Sequence, residues 1–154
     1  PEVARHLAML DNRVPRADYL AAIPWFVERA EEVEPLLISE LRGGGPGAAR
    51  AADLLGRLGL PSSVPALAEA LGSDRMTVRS AAGMALAVHP APMALESLAE
   101  AARSGTPEAA TAALDGLAVR EGDPGVCPAI SAAMARDDEA ILHHARLAAQ
   151  ARGC

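Results

Sequence analysis

Few residues in this 154-residue sequence have the types and spacing that chemistry requires. His143 and His144 stand side by side, preceded by Asp137, Asp138 and Glu139. Adjacent residues on a helix point about 100° apart, so one metal ion cannot readily take both histidines. Glu139 and His143 have the i, i+4 spacing of a ligand pair, but that pair reads more simply as a surface hydrogen bond. The run Asp137-Asp138-Glu139 falls at a helix start, where negative charge suits the helix dipole. His6 and His89 are isolated, and His89 before Pro90 reads as a helix terminus. Gly43-Gly44-Gly45 has neither the lysine nor the preceding strand of a phosphate loop, so it is a turn. No GxSxG, HExxH, P-loop or GxGxxG occurs, and no nucleophile is assembled with a base. The expectation is a non-enzymatic chain with no metal and no cofactor.

Composition narrows the alternatives. The net charge is −6, from 14 basic and 20 acidic residues, and every basic side chain is arginine. An acidic protein is poorly suited to nucleic acid, and Arg42, Arg50, Arg57 and Arg79 offer only a small basic track. No apolar run is long enough to span a bilayer. Cys127 and Cys154 are too few for a disulfide framework. Cys127 lies on an apolar helical face and reads as a small hydrophobe, while Cys154 reads as mobile. That usage points to a reducing cytoplasm.

The elements that position these residues are helical. Hydrophobic residues make up 51% of the chain, much of it alanine, and aromatics only 2%. Alanine is the best helix former, and strand-forming runs are absent, so the fold class is all-α. Residues 2–12 suit a short helix, with a second starting near Arg16 or Ala17 after Pro15. Pro24 either kinks that helix or starts another. Tyr19, Trp25 and Phe26, the three aromatics, all fall here; Trp25 and Phe26 would cap an otherwise open core, or else form part of a docking patch for another domain or subunit. Glu28, Glu31, Glu32 and Glu34 then read as a solvated face.

From there the chain repeats. PLLISEL from Pro35, PALAEAL from Pro65, ESLAEAA from Glu96 and PAISAAM from Pro128 start 30, 31 and 32 residues apart. Each is followed by a turn and an alanine-rich second helix. The clearest second helix lies within 73–88, where Asp74 is placed to cap a stripe of Val78, Ala82, Ala85 and Leu86. Gly and Pro punctuate the boundaries, as at Gly59-Leu60-Pro61 and Gly122-Asp123-Pro124. Two helices per 30 to 32 residues is the signature of a solenoid.

AADLLGRLG from Ala51, and Asp74 followed by Val78-Arg79 and Ala82 to Leu86, resemble the HEAT-repeat family, in particular its short phycobilisome-lyase-like subclass. The resemblance covers roughly residues 33–152. It implies a right-handed α-solenoid of about four helical hairpins with extra N-terminal helices. Residues 1–32 would be capping helices, and 33–154 one continuous array. It also implies an inter-repeat Asp–Arg ladder, incomplete here because Ala110 and Leu142 occupy the place of Arg50 and Arg79. A protein-binding scaffold or adaptor in the cytoplasm is the leading expectation for function. An accessory subunit of a tetrapyrrole lyase or another cofactor-modifying enzyme is the alternative.

In such an array the second helices line the concave face. With Val78, Ala82 and Ala85 buried, the opposite side carries Ser80, Gly83, Met84 and Ala87. Equivalent sets are Ala51, Leu54, Leu55 and Leu58, then Thr111, Leu114, Asp115 and Ala118, then His143, Arg146, Leu147 and Gln150. The face grades from apolar to charged, which suits a peptide or helix with an apolar anchor and a charged tail. Met84, Thr111, Asp115, His143, Arg146 and Leu147 are the candidate contacts.

Overall fold

A computed structural model describes all 154 residues as ten α-helices with two short 3-10 turns and no strand. Helices α1 (Glu2–Leu7) and α2 (Arg16–Glu28) precede four hairpins. The hairpins are α3 (Ala30–Gly43) with α4 (Ala48–Leu58), and α5 (Val64–Ala70) with α6 (Met76–Val88). The others are α7 (Pro92–Ser104) with α8 (Pro107–Val119), and α9 (Val126–Ala133) with α10 (Glu139–Arg152). First helices stack in the order α3, α5, α7, α9, and second helices in the order α4, α6, α8, α10. The result is the two-layered, all-α solenoid that the periodicity requires.

Small side chains set the spacing of the second-helix layer. Ala82, Ala85, Ala110 and Ala113 are buried there with Leu86 and Leu117. Where α6 crosses α8, Gly83 and Gly116 bring backbone against backbone. A Cβ at Gly83 would lie 2.5 Å from the Ala112 oxygen, and one at Gly116 2.5 Å from the Gly83 oxygen. Aromatic or long aliphatic residues at these positions would force the helices apart, so the low aromatic content is a condition of this packing.

The repeats are fastened by arginines that reach main-chain carbonyls rather than aspartates. Arg50 donates to the carbonyls of Met9, Asp11 and Val14 at 2.9–3.0 Å. From the turn before α6, Arg75 donates to Gly44 and Gly45 in the turn of the preceding hairpin. Arg120, buried beyond α8, donates to the Leu86 and His89 carbonyls at 2.8 Å. Its Nε makes no hydrogen bond, and the Asp123 carboxylate stands 3.6 Å away. Arg136 donates to the Ala102 carbonyl at 3.2 Å. The Asp–Arg ladder implied by the resemblance is therefore replaced: Arg79 bonds the Ser73 carbonyl, and Asp74 has no arginine partner. Carbonyls left free at helix ends are natural acceptors for a guanidinium.

Several local expectations change. Asp74 does not cap α6; Arg75 occupies that position without a side-chain bond, while the Ser73 hydroxyl accepts from the Arg75 amide. Side-chain caps occur at Thr106 for α8 and Asp138 for α10. Pro24 starts no new helix, because α2 runs through it to Glu28. The first hairpin begins at Ala30 rather than Pro35, so Glu31 and Glu32 form the acidic first turn of α3. Trp25 is half-buried, stacked on His6 and covered by Arg29, while Phe26 is completely buried.

The cysteines are the largest correction. Cys127 and Cys154 form a disulfide, so Cys127 is not a free hydrophobe and Cys154 is held. The hairpin fold brings α9 beside the residues that follow α10, which the sequence separation of 27 conceals. The argument for a reducing compartment thereby loses its premise. No helix is long and apolar enough to cross a membrane.

Candidate functional site

The second-helix layer presents one outward stripe, and its composition follows from how each helix is enclosed. Each inner second helix touches a second helix on both sides and a first helix beneath. Only a narrow strip stays free, at positions four residues apart. On α4 the strip is Asp53 and Arg57, on α6 Met84 and Val88, and on α8 Asp115 and Val119. On α10 it contains His143, Arg146 and Leu147. Val88 is 64% exposed, and Val119 and Leu147 are each 51% exposed. Such values for large aliphatics on a folded surface mark accessible apolar points along a strip that Asp115, His143 and Arg146 interrupt with polar groups.

Polar contacts frame the apolar residues. On α4, Asp53 accepts from Arg57 at 2.9 Å and also from the Tyr19 hydroxyl. Burial, helped by the Asp53 carboxylate, pushes the Tyr19 phenol well above its usual range. Between α4 and α6, a depression of about 590 Å³ is lined by Asp53, Arg57, Leu58, Met84, Val88 and Pro90. Asp115 on α8 meets His144 on α10, Nδ1 to Oδ1, at 2.7 Å. Arg146 is exposed and forms no ion pair.

All six candidate contacts keep solvent access: Met84, Asp115, His143, Arg146 and Leu147 are exposed and Thr111 is half-buried. The face around them is narrower than expected. Ala51, Leu54, Leu55, Gly83, Ala87 and Leu114 belong to the core instead. Val88, Val119 and the Asp53–Arg57 pair were missed. Their signal was present, since each lies four residues beyond or before a residue on the same strip. The Glu139–His143 pair does not form, and the histidine that bonds across helices is His144.

Other polar groups are structural. His89 is buried, its Nε2 near the Leu60 carbonyl at 3.0 Å and its Nδ1 accepting from the Ala91 amide. Ser63 lies beside it but directs its hydroxyl to Leu60. Rather than merely ending α6, His89 staples the connection before α7. No three His, Cys, Asp or Glu side chains converge as a metal site would require.

A search of the curated proteins found no match. The family profile described as HEAT repeats matches residues 34–118, more than half of the chain, spanning the first three hairpins apart from the first turn of α3 and the last residue of α8. Repeat period, two-layered stacking and this match agree: the chain belongs to the HEAT-repeat family.

Proposed function

We infer that the chain is a non-enzymatic protein-binding scaffold whose partner lies along the second-helix strip, with residues 1–32 capping an array formed by 33–154. The observation that carries this reading is the recurrence of accessible side chains at equivalent places, Met84, Asp115 and Leu147, on three successive helices. HEAT repeats commonly serve as protein-interaction scaffolds, which supports a protein as the ligand. A helical segment with an apolar anchor suits Met84 and Val88, and an acidic flank suits exposed Arg146. The backbone contact at Gly83 and Gly116 keeps the strip stiff, so little ordering accompanies binding.

The test is capture from the source lysate on the immobilised chain, beside a Met84→Glu/Leu147→Glu variant with the same thermal midpoint. The expected result is one protein held by the original and released by the variant. Equal retention by both would reject the strip as the binding face.

A further inference from the structure

The two ends of the stack present different helix faces. At one end α10 turns Glu139, His143, Arg146 and Gln150 to solvent, and Leu147 is the one large apolar side chain among its exposed residues. At the other end α2 packs Tyr19, Ala22 and Phe26 inward, and the Tyr19 hydroxyl reaches Asp53 on α4. On the outward side of α2, every exposed residue from Leu20 to Val27 is apolar: Leu20, Ala21, Pro24 and Val27. Leu20 is 40% and Val27 50% exposed, with half-buried Ile23 between them. Positions 20, 24 and 27 share one side of a helix, so these side chains make a continuous apolar face two turns long. The second helices α4, α6 and α8 each have a helix on both sides. This face of α2 has none.

The charges at its ends say what fits it. Arg16, in the first turn, is exposed and forms no ion pair. Glu28, the last residue of the helix, is exposed and meets only Arg29, its neighbour in sequence, at 3.5 Å. Consider a second α2 laid antiparallel about a two-fold axis level with Ala22. Leu20 then comes opposite Pro24 and Ala17 opposite Val27, a larger side chain facing a smaller one each time. The Arg16 end lies beside the Glu28 end twice over, while the two Arg16 residues stay about 18 Å apart. The helix dipoles are opposed as well. A parallel pairing would instead set arginine on arginine and glutamate on glutamate. The face is complementary to itself in one orientation.

We propose that the outward face of α2 binds a second copy of this chain, antiparallel, in a two-fold homodimer. Such an isologous contact uses the same patch on both chains and closes on itself. One pair of 13-residue helices, about 20 Å long, is small beside a standard interface. The dimer is therefore concentration-dependent, with a dissociation constant on the order of 10 µM. The inference does not rest on the scaffold reading, because the second-helix strip stays open in both chains.

The test is sedimentation velocity on the whole chain from about 1 to 500 µM. The average mass rises from 15.8 kDa towards twice that value and no further. Leu20→Glu/Val27→Glu keeps the single-chain mass throughout, with an unchanged thermal midpoint because both side chains are exposed. Arg16→Glu alone and Glu28→Arg alone each weaken dimerisation about tenfold, since every substitution acts twice across the axis. The Arg16→Glu/Glu28→Arg double variant restores it, and its new charges also suit the dipole of α2. The Met84→Glu/Leu147→Glu variant dimerises as the original does, which separates this surface from the strip. A single-chain mass at every concentration would overturn the proposal, as would a dimer that survives Leu20→Glu/Val27→Glu. A double variant as weak as the single ones would overturn the antiparallel pairing, and masses growing beyond two chains would overturn the closed two-fold.

Discussion

The first and last parts of the chain stabilise the same kind of stack by opposite means. At the N-terminal side, α2 buries Tyr19 and Phe26, and the segment between α1 and α2 is gripped by Arg50 on α4. At the last hairpin, Ile141, Ala145 and Ala148 pack inward, but His143, Arg146 and Gln150 face solvent and a disulfide joins α9 to Cys154, two residues past α10. One side relies on aromatic burial and the other on a covalent link. In a quasi-one-dimensional fold each repeat is held only by its neighbours, so these extra contacts add to the single interface that each of these two parts makes with the rest of the described array.

Phe26→Ala gives the largest expected effect on this contrast. It removes a wholly buried ring and should cost about 3–5 kcal/mol, measured by denaturant titration. Hydrogen exchange should show the loss first in α1 to α4, with α9 and α10 still protected.

Reduction of Cys127–Cys154 should act at the other side. A link across 27 residues is worth about 3 kcal/mol, less where the open chain keeps structure. Exchange in α9 and α10 should accelerate on reduction while α2 and α4 stay protected. Equal acceleration throughout would mean that the array unfolds as one unit and that the contrast is only one of appearance.

Tyr19→Phe sharpens the comparison by a smaller amount, about 1 kcal/mol at pH 7, because it deletes one hydrogen bond to Asp53. Burial and Asp53 raise the Tyr19 phenol above its ordinary pKa of about 10. Below that pH the phenol is protonated in folded and unfolded chains alike, and its contribution is complete. Above it the unfolded chain loses the proton first, so stability falls by up to about 1.4 kcal/mol per pH unit. Tyr19→Phe should lack that part of the alkaline decline in a series of denaturation midpoints. An identical decline in both proteins would separate the loss from Tyr19.

The repeats were legible because buried positions recur at 30 to 32 residues and the alanines there favour helix. The arginine fasteners were not, since their acceptors are main-chain carbonyls and any residue can supply one. Arg120 shows this best: Asp123, three residues on, reads as an ordinary surface pair, while the bonds that bury the guanidinium go to the Leu86 and His89 carbonyls. The disulfide was hidden because Cys127 and Cys154 become neighbours only once the α9–α10 hairpin closes. On the candidate site, Met84, Asp115 and Leu147 could be read from helical spacing. Gly83 and Leu114 were misplaced because a second helix is enclosed on three sides, which leaves a strip narrower than half its circumference.

The arginine fasteners also give the chain a direction. In every inter-repeat bond from an arginine to a main-chain carbonyl the donor follows its acceptors: Arg75 by 30 or 31 residues, Arg120 by 31 from His89, and Arg136 by 34. Arg50 likewise follows the segment it grips. A polypeptide leaving the ribosome emerges from its N-terminus, so each arginine appears when the carbonyls it needs have already been made. No completed hairpin has to wait for a later one to supply its grip. The bonding pattern is thus compatible with assembly in the order of synthesis, and the second cysteine of the pair, residue 154, is made after every one of these arginines.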